Sequence, residues 1–233
     1  MSKPLCLLNA MNDCTVPLSL ALHAWLPRVT DTMGPGVRSV VWVQGCTLHC
    51  PGCMSPDTWD TESGSRVSPL ALANEIIAVP GIEGITVSGG EPTAQATAVT
   101  VLLTKAKESG LNTWVYSGHT IEELVARNDP AIDGMLSVTD VLVDGRFQQE
   151  GESLRYRGSG NQRIMPLSGD IPKSRLSSGQ GSRFEITLDS EGHMILLGMP
   201  PRGFLLSFQN ALAQRGISLQ GEHWLTHKNK GKP

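Results

Sequence analysis

Gln44-Gly45-Cys46-Thr47-Leu48-His49-Cys50-Pro51-Gly52-Cys53 places three cysteines within eight residues. Iron–sulfur irons take soft thiolate ligands, and a [4Fe–4S] cluster has four irons to satisfy. Three thiolates leave one iron without a protein ligand, open to a small molecule. A zinc site closes with four ligands, often as paired CxxC or CxxC…HxxxH units. The only nearby fourth candidate is His49, which lies between two of the cysteines and is hard to place on the same ion. Disulfides need an oxidising compartment, and the chain opens Met1-Ser2-Lys3-Pro4 with no apolar signal segment. Three close cysteines would also leave one unpaired. The spacing favours a cluster with an open iron over zinc or structural thiols.

The segments around the cysteines set the fold class. Upstream, Arg38-Ser39-Val40-Val41-Trp42-Val43 is a β-branched run that reads as a buried strand, with the cysteine loop leaving its C-terminal end. Residues 18–26 read as a strand or strand–turn, and 27–36 as a polar loop punctuated by Gly and Pro. Downstream, Ser68 as N-cap and Pro69 at the first helical position open a helix to about Val79, stopped by Pro80-Gly81. A strand over 84–88 ends in Gly89-Gly90-Glu91-Pro92, and a helix over 93–109 ends at Gly110. Residues 112–116 form the next strand. Thr120 with Glu123 makes a capping box for a helix to about Asn128, and 138–143 is a further strand closing on Asp144-Gly145.

Strand, helix, strand, helix, strand, helix, strand predicts parallel strands with right-handed crossovers. Ligands in such sheets bind outside the carboxyl ends of the strands. The cysteine loop, Gly89-Gly90-Glu91, Ser117-Gly118-His119 and Asp144-Gly145 all fall at those ends. Beyond Gly145 the alternation stops. Residues 155–163 read as a glycine-broken loop and 168–182 as a linker. Strands over 183–188 and 193–197 flank Asp189-Ser190-Glu191-Gly192, a hairpin signal, before a helix over 202–214.

The 233 residues suffice for one compact domain with a small appendage. The net charge of −3 and the absence of any long basic run argue against nucleic acid; the tail Lys228-Asn229-Lys230-Gly231-Lys232 reads as a frayed end. No window approaches a membrane span. Cys6 and Cys14 read as small core residues.

Cys46-x3-Cys50-x2-Cys53 resembles the radical SAM signature, and Ser88-Gly89-Gly90-Glu91-Pro92 resembles the second motif of that superfamily. Gly34-Pro35-Gly36-Val37-Arg38 with Val43-Gln44-Gly45-Cys46 is similar to the signature of glycyl-radical-enzyme activases. Pro51-Gly52-Cys53, Trp114-Val115-Tyr116-Ser117-Gly118, Asp140-Val141-Leu142-Val143-Asp144-Gly145 and Arg157-Gly158-Ser159-Gly160-Asn161-Gln162 resemble the activating enzyme of anaerobic ribonucleotide reductase. The chain departs from the pattern at Met33, before Gly34, and at Gly52, a position often aromatic across the superfamily.

The resemblance implies an α/β fold, an incomplete (β/α) barrel open on one side, with a core over 18–166, a linker over 167–182 and a hairpin-plus-helix extension over 183–233. It implies a cytoplasmic enzyme with two cofactors, a [4Fe–4S] cluster and S-adenosylmethionine (SAM). Reductive cleavage of SAM yields a 5′-deoxyadenosyl radical that abstracts hydrogen from a substrate, here a glycine of a partner glycyl radical enzyme. A flavodoxin or ferredoxin would supply the electron. A stand-alone enzyme acting on a peptide, nucleotide or small metabolite is the alternative, and a sensing protein with a regulatory cluster is a third reading.

Cys46, Cys50 and Cys53 are the expected metal ligands. Gly89, Gly90 and Glu91 are expected to bind SAM, although Glu91 also suits a helix cap. Ser117 lies where the family contacts SAM, or is a turn residue. Asp144 reads as a site acid or a turn former. Arg38 reads as a site residue through the activase signature, or as an ion-pair partner on the sheet. Asn161 lies in a loop read as folding over SAM or docking a partner.

Overall fold

The structure, a computed structural model, describes residues 18–149, 154–176, 183–188, 194–198, 200–201 and 203–218. The readings of Cys6, Cys14, the Asp189-Ser190-Glu191-Gly192 turn and the basic tail lie outside those residues.

Four strands form the parallel centre of one sheet: β2 (Val37–Val43), β4 (Gly84–Gly89), β5 (Asn112–Ser117) and β6 (Val141–Asp144). Each pairs in parallel with the next. Their crossovers carry α1 (Pro69–Ile77), α2 (Ala96–Glu108), and α3 (Ile121–Val125) with α4 (Pro130–Ser137). The sheet is mixed, because β1 (Leu20–Thr30), β3 (Ser65–Val67) and β7 (Arg163–Pro166) add antiparallel edges in the order β3-β1-β2-β4-β5-β6-β7. The antiparallel β1–β2 pair follows from the short connection 31–36, since a parallel crossover needs about a dozen residues or more.

Side-chain alternation divides the two faces. Val41, Val43, Ile85, Val87, Val115 and Leu142 share one buried cluster with Leu72, Ile76, Leu102, Leu103 and Met135 of the helices. On the other face, Trp114, Val141 and Val143 pack with Tyr156 and Ile171. Burying each large aliphatic side chain in the first cluster contributes about 1.5–3 kcal/mol, which makes the helical layer the main support of the sheet.

Capping fixes the helix starts as the sequence predicts. The Ser68 hydroxyl accepts from the Ala71 amide at 3.3 Å, and Thr120 with Glu123 completes its reciprocal box. Elsewhere the structure corrects the reading. Strand β1 continues through Pro27, which sits in a register break between Leu26 and Val29 where no ladder donor is required. Helix α4 fills residues 130–137, to which the sequence reading assigned no element: Asp129 accepts from the Ala131 amide at 2.9 Å, and Pro130 opens the helix. Strand β6 therefore begins at Val141. Two further strands, β8 (Phe184–Leu188) and β9 (Met194–Gly198), pair antiparallel in a separate sheet. A short helix, α5 (Lys173–Leu176), and a longer one, α6 (Phe204–Ala213), complete the described elements.

Asp140, at the foot of β6, joins three elements and is wholly buried. It accepts from Lys107 of α2, from the Ser168 hydroxyl at 2.7 Å and from the Thr113 amide of β5 at 2.7 Å. Burial pushes its carboxyl up, but the hydrogen bonds from Lys107, Ser168 and Thr113 outweigh this and hold it below the usual aspartate value of 3.8. A depressed carboxyl contributes stability that is fully present above the unfolded pKa and lost as pH falls through the folded one. Asp140→Asn should therefore cost about 2–3 kcal/mol at neutral pH, the pairing with Lys107 being partly solvated. Denaturant melts should show that difference shrinking below about pH 4; a pH-independent difference would exclude the charge as its source.

Candidate metal centre

The cysteine loop leaves β2 at Val43 and is fastened at its base. The Gln44 side-chain amide donates to the carbonyls of Asp57 at 2.9 Å and Asp60 at 2.8 Å. The Gly45 amide donates to Thr58 and the Cys46 amide to Trp59, at 2.8 and 3.1 Å. Gln95 links the same base to β1, donating to the Gln44 carbonyl at 2.8 Å while accepting from the Ala21 amide at 2.7 Å. Within the loop, His49 takes a left-handed backbone with φ 45°, and its ring lies 4.6 Å from that of Trp59. The chain thus returns over 56–60 to close a frame around the three thiols.

Glycine lets this frame sit on the ends of β4 and β5. The Gly90 amide donates to Val43 at 2.7 Å and the Glu91 amide to Gly45 at 2.9 Å. A Cβ at Gly90 would stand 2.3 Å from the Gly45 carbonyl oxygen, so only glycine fits. Gly89 has φ 102°, where glycine alone is unstrained. A Cβ at Gly118 would meet the Leu48 Cδ1 atom at 2.3 Å. The structure therefore brings Cys46, Cys50, Cys53, Gly89, Gly90, Glu91 and Ser117 to one sheet edge.

Glu91 is buried, and its carboxylate is fully engaged. One oxygen accepts from the Thr93 amide, the Thr93 hydroxyl and the Ser117 hydroxyl, at 3.0, 2.8 and 3.0 Å. The other accepts from the Gly118 amide at 2.8 Å. The carboxylate caps the 3-10 turn that opens at Pro92 and ties β4 to β5. Asp144 also lies at this edge, wholly buried, but it accepts from the Ile121 amide at 2.8 Å and pairs with Arg163 at 2.5 Å. Asn161 stands beside Gly145, donating to the Arg146 carbonyl at 2.8 Å.

Arg38 is not part of this edge. It lies at the opposite end of β2, buried, donating to the Thr86 hydroxyl at 2.8 Å, the Ile85 carbonyl at 2.7 Å and the Asn112 side chain. Burial pulls its guanidinium down to about 10. A Cβ at Gly34 would come within 3.1 Å of it, so Gly34-Pro35-Gly36-Val37-Arg38 packs the β1–β2 connection. The expectation that Arg38 contacts a cofactor is corrected accordingly.

The three thiols are half-buried and free. Burial pushes the Cys46 thiol up, opposed by the Leu48 amide and reinforced by the Glu91 carboxylate. Burial likewise pushes the Cys53 thiol up, against hydrogen bonds from the Ser55 amide and Trp59. Metal binding must displace these protons. Among the described residues, no three His, Cys, Asp or Glu side chains converge on a single ion. A four-iron cluster takes each thiolate on a different iron. Three soft donors spread along one closed loop fit that requirement.

Sequence reading passed over Gln95 and Trp59, and gave Gly118 no role beyond its place in the Ser117-Gly118-His119 strand end. Nothing local marks Gln95, whose partners lie far away in the chain. Gly90→Ala should cost about 1–3 kcal/mol by overpacking and lower the iron retained after anaerobic reconstitution. Full iron content with an unshifted melt would show that the contact with Gly45 is not needed.

The profile of the family described as "4Fe-4S single cluster domain" matches residues 32–165. The chain is 33% identical to the anaerobic ribonucleoside-triphosphate reductase-activating protein of Escherichia coli K12, over 62% of this chain and 97% of that protein. It is 36% identical to the protein of the same name from Vibrio cholerae, over 61% of this chain and 95% of that protein. Pyruvate formate-lyase 1-activating enzyme of E. coli K12 is 35% identical over 58% of this chain and 56% of its own length. Among solved structures, QueE from E. coli matches 44% of this chain and 54% of its own at 15% identity and a TM-score of 0.35, a likeness too slight to argue from. The chain belongs to the 4Fe-4S single cluster domain family, among the radical SAM activating proteins whose cofactors are a [4Fe–4S] cluster and SAM.

Proposed function

We propose that the protein activates a glycyl radical enzyme by abstracting hydrogen from a glycine of that partner. The observation that carries this reading is the seating of the three-thiol loop on the Gly89-Gly90-Glu91 strand end, in a chain that spans nearly the whole of a reductase-activating relative. Cys46, Cys50 and Cys53 would hold the cluster, and SAM would lie against Gly89 and Gly90. When bound, the reduced cluster and SAM supply a 5′-deoxyadenosyl radical, the hydrogen abstractor of this chemistry.

The chain's own residues bind and orient. Glu91 and Ser117 lock the ends of β4 and β5 together, so that the main chain presented to SAM is rigid. Asp144, committed to Arg163 and the start of α3, shapes the neighbouring wall. In this reading 18–166 is the radical SAM core, 167–182 a linker and 183–233 an extension carrying β8, β9 and α6. The seven-stranded sheet, open between β3 and β7, suits an incomplete barrel that admits a protein loop. A flavodoxin or ferredoxin would deliver the electron in the cytoplasm. Among the described residues, no helix is long and apolar enough to cross a membrane. The relatives favour an activase over the stand-alone enzyme.

The test is anaerobic. Reconstituted protein, SAM, a reductant and the anaerobic reductase from the same cell should give a glycyl-radical doublet in the EPR spectrum. Cys50→Ala should abolish both the doublet and 5′-deoxyadenosine. Formation of 5′-deoxyadenosine without a doublet would move the assignment to the stand-alone enzyme.

A further inference from the structure

The segment 145–149, which follows β6, is suspended from three side chains of Gly158-Ser159-Gly160-Asn161-Gln162. Gln162 donates to the Gly145 carbonyl at 2.9 Å, and Asn161 donates to the Arg146 carbonyl at 2.8 Å. The Ser159 hydroxyl accepts from the Gln148 amide at 3.1 Å and donates to Asn161 Oδ1 at 2.7 Å. Gln162 is itself fixed, its side-chain oxygen accepting from the Gly158 amide at 2.7 Å and the Ser159 amide at 3.2 Å. Ser159 is wholly buried and Gln162 nearly so. Phe147 closes on Gly158, where a Cβ would stand 3.1 Å from the ring. Three side chains thus hold three main-chain groups within four consecutive residues, in a stretch that belongs to neither a helix nor a strand.

The held segment ends on the cysteine loop. A Cβ at Gly52 would fall 2.5–2.8 Å from the side-chain atoms of Gln149, so Gln149 lies directly over the residue preceding Cys53. Gly52 has φ 72°, and its missing side chain is what admits the neighbour. A stretch with no ladder of its own, exposed at Arg146, Gln148 and Gln149, would otherwise sample many conformations. The buried anchors at Ser159 and Gln162 remove that freedom on the β6 side of the thiols.

We propose that Ser159, Asn161 and Gln162 are positioning residues that hold 145–149 as a fixed wall over Gly52, shielding Cys53 on that side. This rests on the activase reading only for its purpose: the wall would keep small oxidants and chelators from a cluster held on the same loop. Asn161 then acts through the Arg146 carbonyl, without touching SAM.

The experiment uses the full chain without metal, where iodoacetamide labelling at fixed pH, mapped by mass spectrometry, gives separate rates for Cys46 and Cys53. Asn161→Asp and Gln162→Glu each remove one donor with little change of shape. Gln149→Ala removes the covering side chain and leaves the anchors intact. Each should raise the Cys53 rate several-fold with Cys46 almost unchanged. Hydrogen exchange at 145–149 should accelerate in the first two variants and stay as in the parent protein for Gln149→Ala. An unchanged Cys53 rate overturns the proposal, as does an equal rise at both cysteines, which would mean general loosening. If Gln162→Glu does not fold, Asn161→Asp and Gln149→Ala decide alone. No cluster, SAM or partner enters this assay, so its failure is distinct from failure of the activase reading.

Discussion

The approach of the Gly90 main chain to the Gly45 carbonyl governs the rest of this structure. A loop carrying three half-buried thiols has little reason to hold its shape, since it lacks a ladder and a core. Here it acquires both by resting on the end of β4, where the amides of Gly90 and Glu91 complete hydrogen bonds to Val43 and Gly45. Any side chain at position 90 would separate the two segments. A second contact, Leu48 against Gly118, extends the seat to β5. The parallel sheet matters to the site because it delivers two such strand ends side by side.

Glu91 illustrates how one residue serves two levels of organisation. Its charge lies near Cys46 and adds to the upward push that burial gives that thiol, while its oxygens are engaged by Thr93, Ser117 and Gly118. A buried carboxylate with this many donors is held in one place. It transmits the geometry of β5 to the loop on β2. The Gly-Gly-Glu motif is thus a plate that joins two strands to the loop, beyond the ligand role proposed for it.

Much of this was legible in the sequence, and the failures have physical causes. Strand β2, the Ser68 cap and the Thr120–Glu123 box were readable because each depends on neighbours within a few residues. The antiparallel β7 was not, because Arg163-Ile164-Met165-Pro166 becomes a strand only through its pairing with β6. Helix α4 carried an Asp-Pro start that was legible, yet the sequence reading assigned no element there. At the site, the cysteine spacing and the glycines declared themselves. Arg38 misled, because the Gly34-Pro35-Gly36-Val37-Arg38 segment owes its form to packing at the far end of β2. Gln95 was invisible, its partners Ala21 and Gln44 being brought to it only by the folded sheet.

The central claim is that Cys46, Cys50 and Cys53 hold a four-iron cluster with one iron left for SAM. EPR spectroscopy of the anaerobically reconstituted, reduced protein tests it most directly. The account predicts an S = ½ signal whose g values shift when SAM is added, and loss of that signal in Cys53→Ala. A reduced-cluster signal that SAM leaves unaltered would contradict the open iron, and with it the account of how this loop and strand end work together.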